Sequence, residues 1–505
     1  MLSVFDNAPH VPCPAPFNLS AHVLQCADRQ PDKPALEVLG PQGAQIWTYR
    51  QLQAAVLGTA TGLLREGFKP GDIVVMRLGN SVEFPIAYLG AIAAGIVPVP
   101  TSSQLTEAEV ANIFADLSPA GVLHDPAVAC SAHPRTVTLD ALIAMRDLPP
   151  VAFDMGDPDR MAYVVYTSGT SGVPRAVAHA HRAIWARQMM IRDWYALGPD
   201  DRLCHAGAFN WTYTLGTGLM DPWTVGATAL IPIPGTEPTA LPSLLQQNRA
   251  TIFAAAPGVY RKLLNDGGML TLPTLRHGLC AGEKLSEALH KAWEIASGRP
   301  LFEAYGMSEC STFISACPDR PAQNNTLGQP QAGRRVAILG PGGPVPRGSE
   351  GTIAVHRSDP GLMLGYLNAP EETEARFQGD WFLTGDQGVM DDNDQIAYLG
   401  RSDDMMNAGG YRVSPVEVEA VLNAHPDITL AAVTDVEVKA DTRVIAAFYT
   451  APAPLDENAL STYVHHRLAH YKTPRAYVHL PELPTGANGK LLRRVLRDRF
   501  EANRP

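Results

Sequence analysis

The chain has 505 residues, 46% of them hydrophobic and 18% charged, with a formal net charge of −11. That length holds about three or four packed units, and the apolar content excludes an intrinsically disordered chain. The acidic balance excludes a nucleic-acid partner, which requires a basic patch or stripe.

The seven cysteines (Cys13, Cys26, Cys130, Cys204, Cys280, Cys310, Cys317) are scattered, with no CxxC pair, and read as reduced thiols rather than a disulfide framework or zinc site. Glycine and proline, 43 of each, exceed their average share and mark many turns. Met1 to Pro16 lack a cationic start followed by an apolar stretch, so no signal peptide is expected. The uncharged, largely apolar stretch 84–100 contains Pro85, Pro98 and Pro100 and is too short and broken to span a bilayer. A cytoplasmic protein without a membrane partner, monomer or homodimer, is the expectation.

Over the first 400 residues, short β-rich runs alternate with longer helical stretches. Residues 73–76 predict a strand. Asn80, with Glu83 three positions on, predicts a capping box that opens a helix towards Ala94. Residues 96–100 predict the next strand, and similar runs follow at 121–123, 161–166, 227–233, 251–255 and 277–280. Strands separated by helices in this way predict parallel sheets covered by helices. From 333 to 397, closely spaced turns separate short alternating runs, which predicts an antiparallel unit or barrel. After Gly400-Arg401 the pattern resets. Ser414, Pro415 and Glu417 predict a helix start, followed by strands at 429–433 and 444–449 and a helix over 458–466. The expected fold is α/β: a large N-terminal domain, 1–401, of helix-flanked sheets plus a β-barrel-like unit, and a small α+β C-terminal domain, 402–505.

The densest turn chemistry is Tyr166-Thr167-Ser168-Gly169-Thr170-Ser171-Gly172-Val173-Pro174-Arg175. Small residues let backbone N–H groups approach an anion, hydroxyls add donors, and the terminal cation adds charge, which suits a triphosphate. The segment lacks the Walker A pattern, no complete GxGxxG occurs elsewhere, and a plain flexible loop fits the same residues. Five later segments accompany it: Ala281-Gly282-Glu283, Tyr305-Gly306-Met307-Ser308-Glu309, Trp381 to Asp386, Tyr398 to Asp404, and Pro484 to Lys490. In this order and approximate spacing, the six resemble the motifs of the adenylate-forming (AMP-binding) superfamily of acyl-CoA synthetases, aryl-CoA ligases, luciferases and peptide-synthetase adenylation domains. The resemblance covers nearly the whole chain.

It implies a two-step reaction in which a carboxylic acid and Mg-ATP give an acyl-adenylate and pyrophosphate, and a thiol then displaces AMP. By the same resemblance, Thr167, Ser168, Gly169, Thr170, Ser171, Gly172 and Arg175 meet the phosphates. Gly282, Glu283 and Tyr305 form the adenine site, with Ser308 beside it. Glu309 holds Mg²⁺, Asp386 accepts the ribose hydroxyls, and Arg401 meets ribose or phosphate. Lys490 is the catalytic cation: it touches the attacking carboxylate and the α-phosphate, two anions that repel, and stabilises charge developing in the transition state. Asp403 is the hinge of a mobile C-terminal domain that presents Gly409, Gly410 and Tyr411 to the pantetheine arm of coenzyme A. Taken singly, Tyr305 also reads as a packed aromatic, Asp386 as a turn residue, and 400–404 as a polar linker.

The sequence departs from the family pattern at Arg175-Ala176, where Lys-Gly is usual. Ser171 and Ser308 replace threonines, and Asn407 replaces a frequent lysine. The acyl pocket is expected to draw on Asn210, Trp211 and Tyr213, with 253–257 and 304–307. No acid lies between Cys204 and Met220 to grip an α-amino group, so a small aliphatic or aromatic acid is favoured. No carrier domain follows Pro505, and coenzyme A is the favoured acceptor. A stand-alone enzyme loading a carrier protein and a non-catalytic nucleotide-binding homologue stay open. His179, His181 and His205 read as structural.

Overall fold

Runs such as Ile252–Ala255 and His277–Ala281 are buried at every residue, so they need cover on both faces. They form the centre of a nine-stranded sheet in the computed structural model, which describes residues 1–7, 10–167, 175–264, 268–323, 325–402, 404–408, 411–439, 442–486 and 491–502. Its order is Gln329–Pro330, Ser311–Ser315, Leu301–Met307, His277–Ala281, Ile252–Ala255, Arg202–His205, Thr228–Pro232, Pro34–Gly40 and Gly43–Thr48. The six strands from Leu301–Met307 to Pro34–Gly40 run parallel, and the pairings beyond them at either end are antiparallel. A second sheet is parallel throughout, in the order Val97–Pro100, Ile73–Arg77, Gly121–His124 and Thr136–Thr138.

The strand expected at 161–166 departs from this pattern. Met161–Thr167 turns back antiparallel on Arg175–Ala180, which pairs in turn with Gly365–Tyr366. The seven-residue link is the reason: a parallel crossover needs a dozen residues or more, whereas a hairpin closes over this length.

The expected capping box at Asn80 does not form. The helix Glu83–Ala93 begins without a side-chain cap, and Asn80 Oδ1 accepts the Phe209 N–H at 2.7 Å instead. At the other end of the chain, the helix Pro415–Asn423 starts as the sequence predicts, with the Ser414 hydroxyl accepting the Glu417 N–H at 3.3 Å.

The antiparallel unit is a seven-stranded sheet that joins Val4–Asp6 to strands between Arg335–Gly340 and Ile396–Arg401. Along Trp381–Met390, burial alternates at every residue, so Phe382, Thr384, Asp386, Gly388 and Met390 share the inward face. In the last hundred residues, Leu430–Lys439 pairs antiparallel with Thr442–Thr450, which pairs parallel with Ala476–His479. Met406, Val418, Leu422, Val433 and Ile445 belong to a core of this region's own. Among the described residues, no helix is long and apolar enough to cross a membrane.

One ion pair underlies the loop beside Glu309. Arg334 Nη1 meets Asp359 Oδ1 at 2.6 Å with both side chains at 0% exposure. Asp359 also accepts the Gly361 N–H at 2.8 Å, and the Met363 N–H closes the turn on the Glu309 carbonyl at 2.7 Å. Arg334→Met leaves that carboxylate buried without its cation, at a cost of roughly 3–5 kcal/mol. The urea midpoint is expected to fall accordingly.

Candidate active site

The parallel strands of the large sheet end together. Ala281 is paired with Ala304, and immediately beyond them burial relaxes at Gly282 and at Tyr305 to Met307. In open α/β sheets, this carboxyl edge is where ligands bind. Gly282 has φ +97°, and nothing stands within 4 Å of where a Cβ would project, so the backbone edge is left clear.

Tyr305 reaches from this edge to the antiparallel sheet, where its hydroxyl donates to Asp386 Oδ2 at 2.5 Å. Burial first, and then the adjoining carboxylate, push the Tyr305 hydroxyl well above its ordinary pKa, so it remains a donor. The other oxygen of Asp386 takes Arg401 Nη1 at 3.2 Å, with the two side chains 9% and 17% exposed. The Tyr305 ring is flanked edge-on by Phe313 at 5.3 Å and tilted against Tyr398 at 5.8 Å. Three residues singled out from separate motifs therefore meet.

Glu309 Oε1 accepts the Tyr366 hydroxyl at 2.7 Å, and the carbonyl of Ser308 meets His179 Nε2 at 2.7 Å. Arg175 Nε lies 2.5 Å from Glu372 Oε2. The roles of Tyr366 and Glu372 were missed from the sequence, because neither sits in a motif and each arrives through tertiary packing; His179, read as structural, is buried against the Ser308 carbonyl. Glu283 adjoins a part-buried pair in which Lys284 Nζ meets Glu303 Oε2 at 2.7 Å.

Ser168, Gly169, Thr170, Ser171, Gly172, Asp403, Gly409, Gly410 and Lys490 lie outside the described residues, as do the side chains of Thr167, Asn407 and Tyr411. Among their described neighbours, Thr167 and Arg175 are register partners, and Thr485 bridges Leu491.

Asn210, Trp211 and Tyr213 also come together. Asn210 Nδ2 donates to Ser103 Oγ at 3.1 Å, and the Trp211 and Tyr213 rings are edge-on at 5.1 Å. Both rings pack against His205, Tyr213 at 4.5 Å and Trp211 at 6.0 Å. Thr214–Met220 continues as wide π-type turns, buried throughout. The first acid after this stretch, Asp221, is taken by Arg187 Nη2 at 2.6 Å and by the Tyr195 hydroxyl at 2.8 Å. It is thereby neutralised as a partner for an ammonium group.

Residues 23–367 match the family of AMP-binding enzymes, and residues 417–490 match the C-terminal domain of AMP-binding enzymes. The chain belongs to this family, the adenylate-forming superfamily that its motifs resemble. It is 30% identical to 3-hydroxybenzoate–CoA ligase of Aromatoleum sp. (strain CIB), over 94% of each chain. Among solved structures it resembles the anthranilate CoA ligase AuaEII in complex with anthranoyl-AMP (TM-score 0.88, 26% identity, 97% of this chain and 98% of that one). It also resembles ATP-bound MatB from Rhodopseudomonas palustris (TM-score 0.87, 26% identity, 96% and 99%).

His179 stacks on Tyr163 beneath this site, with ring centroids 4.9 Å apart. Burial, reinforced by Arg182 and Arg187, lowers its pKa from 6.5 to about 4. The folded protein thus keeps it neutral while the unfolded chain protonates below pH 6.5. Its contribution, on the order of 3 kcal/mol, is complete above pH 6.5 and is lost as pH falls towards 4. At pH 5, His179→Phe is expected to take up about one proton fewer on unfolding than the parent protein, measured from the pH dependence of the urea midpoint.

Proposed function

We propose that this chain is an AMP-forming acid:CoA ligase that activates a small aliphatic or aromatic carboxylic acid. The observation that carries this reading is the meeting of Tyr305, Asp386 and Arg401 at the carboxyl edge of the parallel sheet, in a chain that aligns over 94% of its length with a named acid–CoA ligase. A homologue that had lost catalysis would be free to lose Glu309, Asp386, Arg401 or Lys490, and all four are present. Loading of a carrier protein remains the second acceptor to test.

In this reading the adenine lies against Gly282, Glu283 and Tyr305, close to Ser308. Asp386 accepts the ribose hydroxyls, its position fixed by Tyr305 and Arg401. The segment from Thr167 to Arg175 meets the phosphates. Magnesium suits Glu309 only as a shared ligand: among the described residues, no group of three His, Cys, Asp or Glu could hold a metal. Phosphate and water must complete its shell, as is usual for this ion. When bound, magnesium would neutralise phosphate charge.

The acid enters beside Asn210, Trp211 and Tyr213, its carboxylate facing the α-phosphate. Lys490 bridges the two anions, lowers their repulsion and supports charge at the α-phosphate as pyrophosphate leaves. The region after 402 then turns about Asp403, withdraws Lys490 and brings Gly409, Gly410 and Tyr411 to the thiol that attacks the anhydride. A glycine pair suits a narrow channel, where side chains would block the pantetheine arm.

Acid-dependent pyrophosphate release across a panel of carboxylic acids, with and without coenzyme A, tests the reading; no release with any acid overturns it. Lys490→Ala is expected to abolish adenylate formation while leaving thioester formation from supplied acyl-AMP largely intact. Equal loss of both half-reactions would refute its assigned role. Asp386→Asn is expected to weaken AMP about ten- to hundredfold by calorimetry, the loss of one charged acceptor worth ~1.5–3 kcal/mol.

A further inference from the structure

His205 ends the strand Arg202–His205 and is completely buried. It is in register with Ala254, which is paired with Leu279 and, through it, with Phe302. Ala281 and Ala304 lie two residues further along their strands, so His205 stands three residues below the rim where Gly282 and Tyr305 emerge. Alternation along the strands puts Ala254, Ala281 and Ala304 on one face of the sheet, in a core with Trp194 and, at its margin, Tyr213.

The imidazole is held in one orientation. An added Cβ at Gly207 would meet its Cε1 at 2.9 Å, and one at Gly218 would meet its Cβ at 2.7 Å, so both glycines make room for it. Nδ1 receives the Gly207 N–H at 2.9 Å and lies 3.2 Å from the Thr214 hydroxyl. A backbone N–H can only donate, so Nδ1 carries the lone pair. Burial lowers the pKa of the ring to about 3, which excludes the doubly protonated form. The proton is therefore on Nε2, and Nε2–H is buried with no partner among the described residues. The Tyr213 hydroxyl, on a ring 4.5 Å away, is also buried without one. The two orphaned atoms belong to rings in edge contact, and burying a donor unpaired is costly. Polar groups nearby have their own partners: Trp194, stacked on Tyr213 at 6.3 Å, donates Nε1–H to the Phe302 carbonyl at 3.0 Å, and Asp221 is held by Arg187.

We propose that His205 and Tyr213 select for acids that carry an oxygen acceptor, a hydroxyl or carbonyl, at the end remote from the reacting carboxylate. This rests on the acid:CoA ligase reading and narrows its substrate class. Nε2–H requires an acceptor, and the Tyr213 hydroxyl can donate to the same oxygen or accept from its proton. An ammonium group, which can only donate, leaves Nε2–H unanswered, and a methyl group of the same size answers neither atom.

Size-matched pairs test the inference: 3-hydroxybenzoate against 3-methylbenzoate, 4-hydroxybenzoate against 4-methylbenzoate, and 4-hydroxybutanoate against pentanoate, each followed by pyrophosphate release. In at least one pair, the hydroxy acid is expected to exceed its methyl counterpart by tenfold or more in kcat/KM. Tyr213→Phe, which removes one unpartnered oxygen and keeps the ring, is expected to cut that ratio severalfold. His205→Leu is expected to abolish the preference, and His205→Gln, which restores an N–H donor, to recover part of it. Methyl acids used as well as hydroxy acids in every pair overturn the inference, as does a preference that survives both Tyr213→Phe and His205→Leu. Absence of pyrophosphate release with all six acids overturns the ligase reading instead.

Discussion

The hydrogen bond from Tyr305 to Asp386 joins two sheets that share no strand, and the geometry of the site depends on it. Tyr305 stands where the Leu301–Met307 strand leaves the parallel sheet, at an irregularity in its pairing with Ser311–Ser315. Gly306 allows that hairpin to fold tightly: a Cβ there would lie 2.1 Å from the Ser311 carbonyl oxygen. Asp386 reaches the junction from the other sheet, on the inward row of its strand just after Gly385 at φ +82°. A buried carboxylate needs compensation, and it receives a hydroxyl from one sheet and a guanidinium from the neighbouring strand. Arg401 then starts the turn that leads on, its carbonyl accepting the Asp404 and Met405 N–H groups. The parallel sheet, the antiparallel sheet and the start of the C-terminal region are thus referred to one carboxylate.

Much of this was legible in the sequence, for reasons that particular elements make clear. Continuous apolar runs bounded by glycine and proline marked the parallel strands at 73, 121, 252 and 277, because burial on both faces leaves no room for polar alternation. The antiparallel character of 333–397 followed from its turn spacing. Asn80 and Ser414 each precede a Glu by three residues, yet only Ser414 caps its helix. The Asn80 oxygen is claimed by an N–H 129 residues away, a competitor that no local pattern contains. The hairpin at 161–180 was misread from strand character alone, although the length of its connection carried the answer. Tyr366 on Glu309 and Glu372 on Arg175 could not be read at all, since each pairing exists only once Gly365–Tyr366 has docked on Arg175–Ala180.

The net charge of −11 poses a constraint for a protein that must handle several anions at once, and the interior shows how the cations are deployed. Arg187, Arg334 and Arg493 are each tied to a buried carboxylate, with partners Asp221, Asp359 and Glu419. Such pairs are poor sources of a movable charge, because separating them strands an ion in a low-dielectric interior. They suit a different task, which is to hold backbone in place around groups that do bind.

Arg493 illustrates the division. It grips Glu419 through Nε at 2.9 Å and Nη2 at 2.7 Å, while its Nη1 lies 3.4 Å from Asp404. Glu419 also accepts the Val433 N–H at 2.8 Å, so the start of the last helix is fixed to the small sheet. A cation needed in one half-reaction and unwanted in the next cannot be of this kind. On the proposed mechanism it must ride on a segment joined to the fold at its ends, and 486–490 meets that condition, with Thr485 and Leu491 bridged and Arg493 two residues further on. Placing Lys490 there separates the work of anchoring from that of catalysis. On that proposal the arginine stays paired in its carboxylate clasp, and the lysine is the cation assigned to the reacting phosphate.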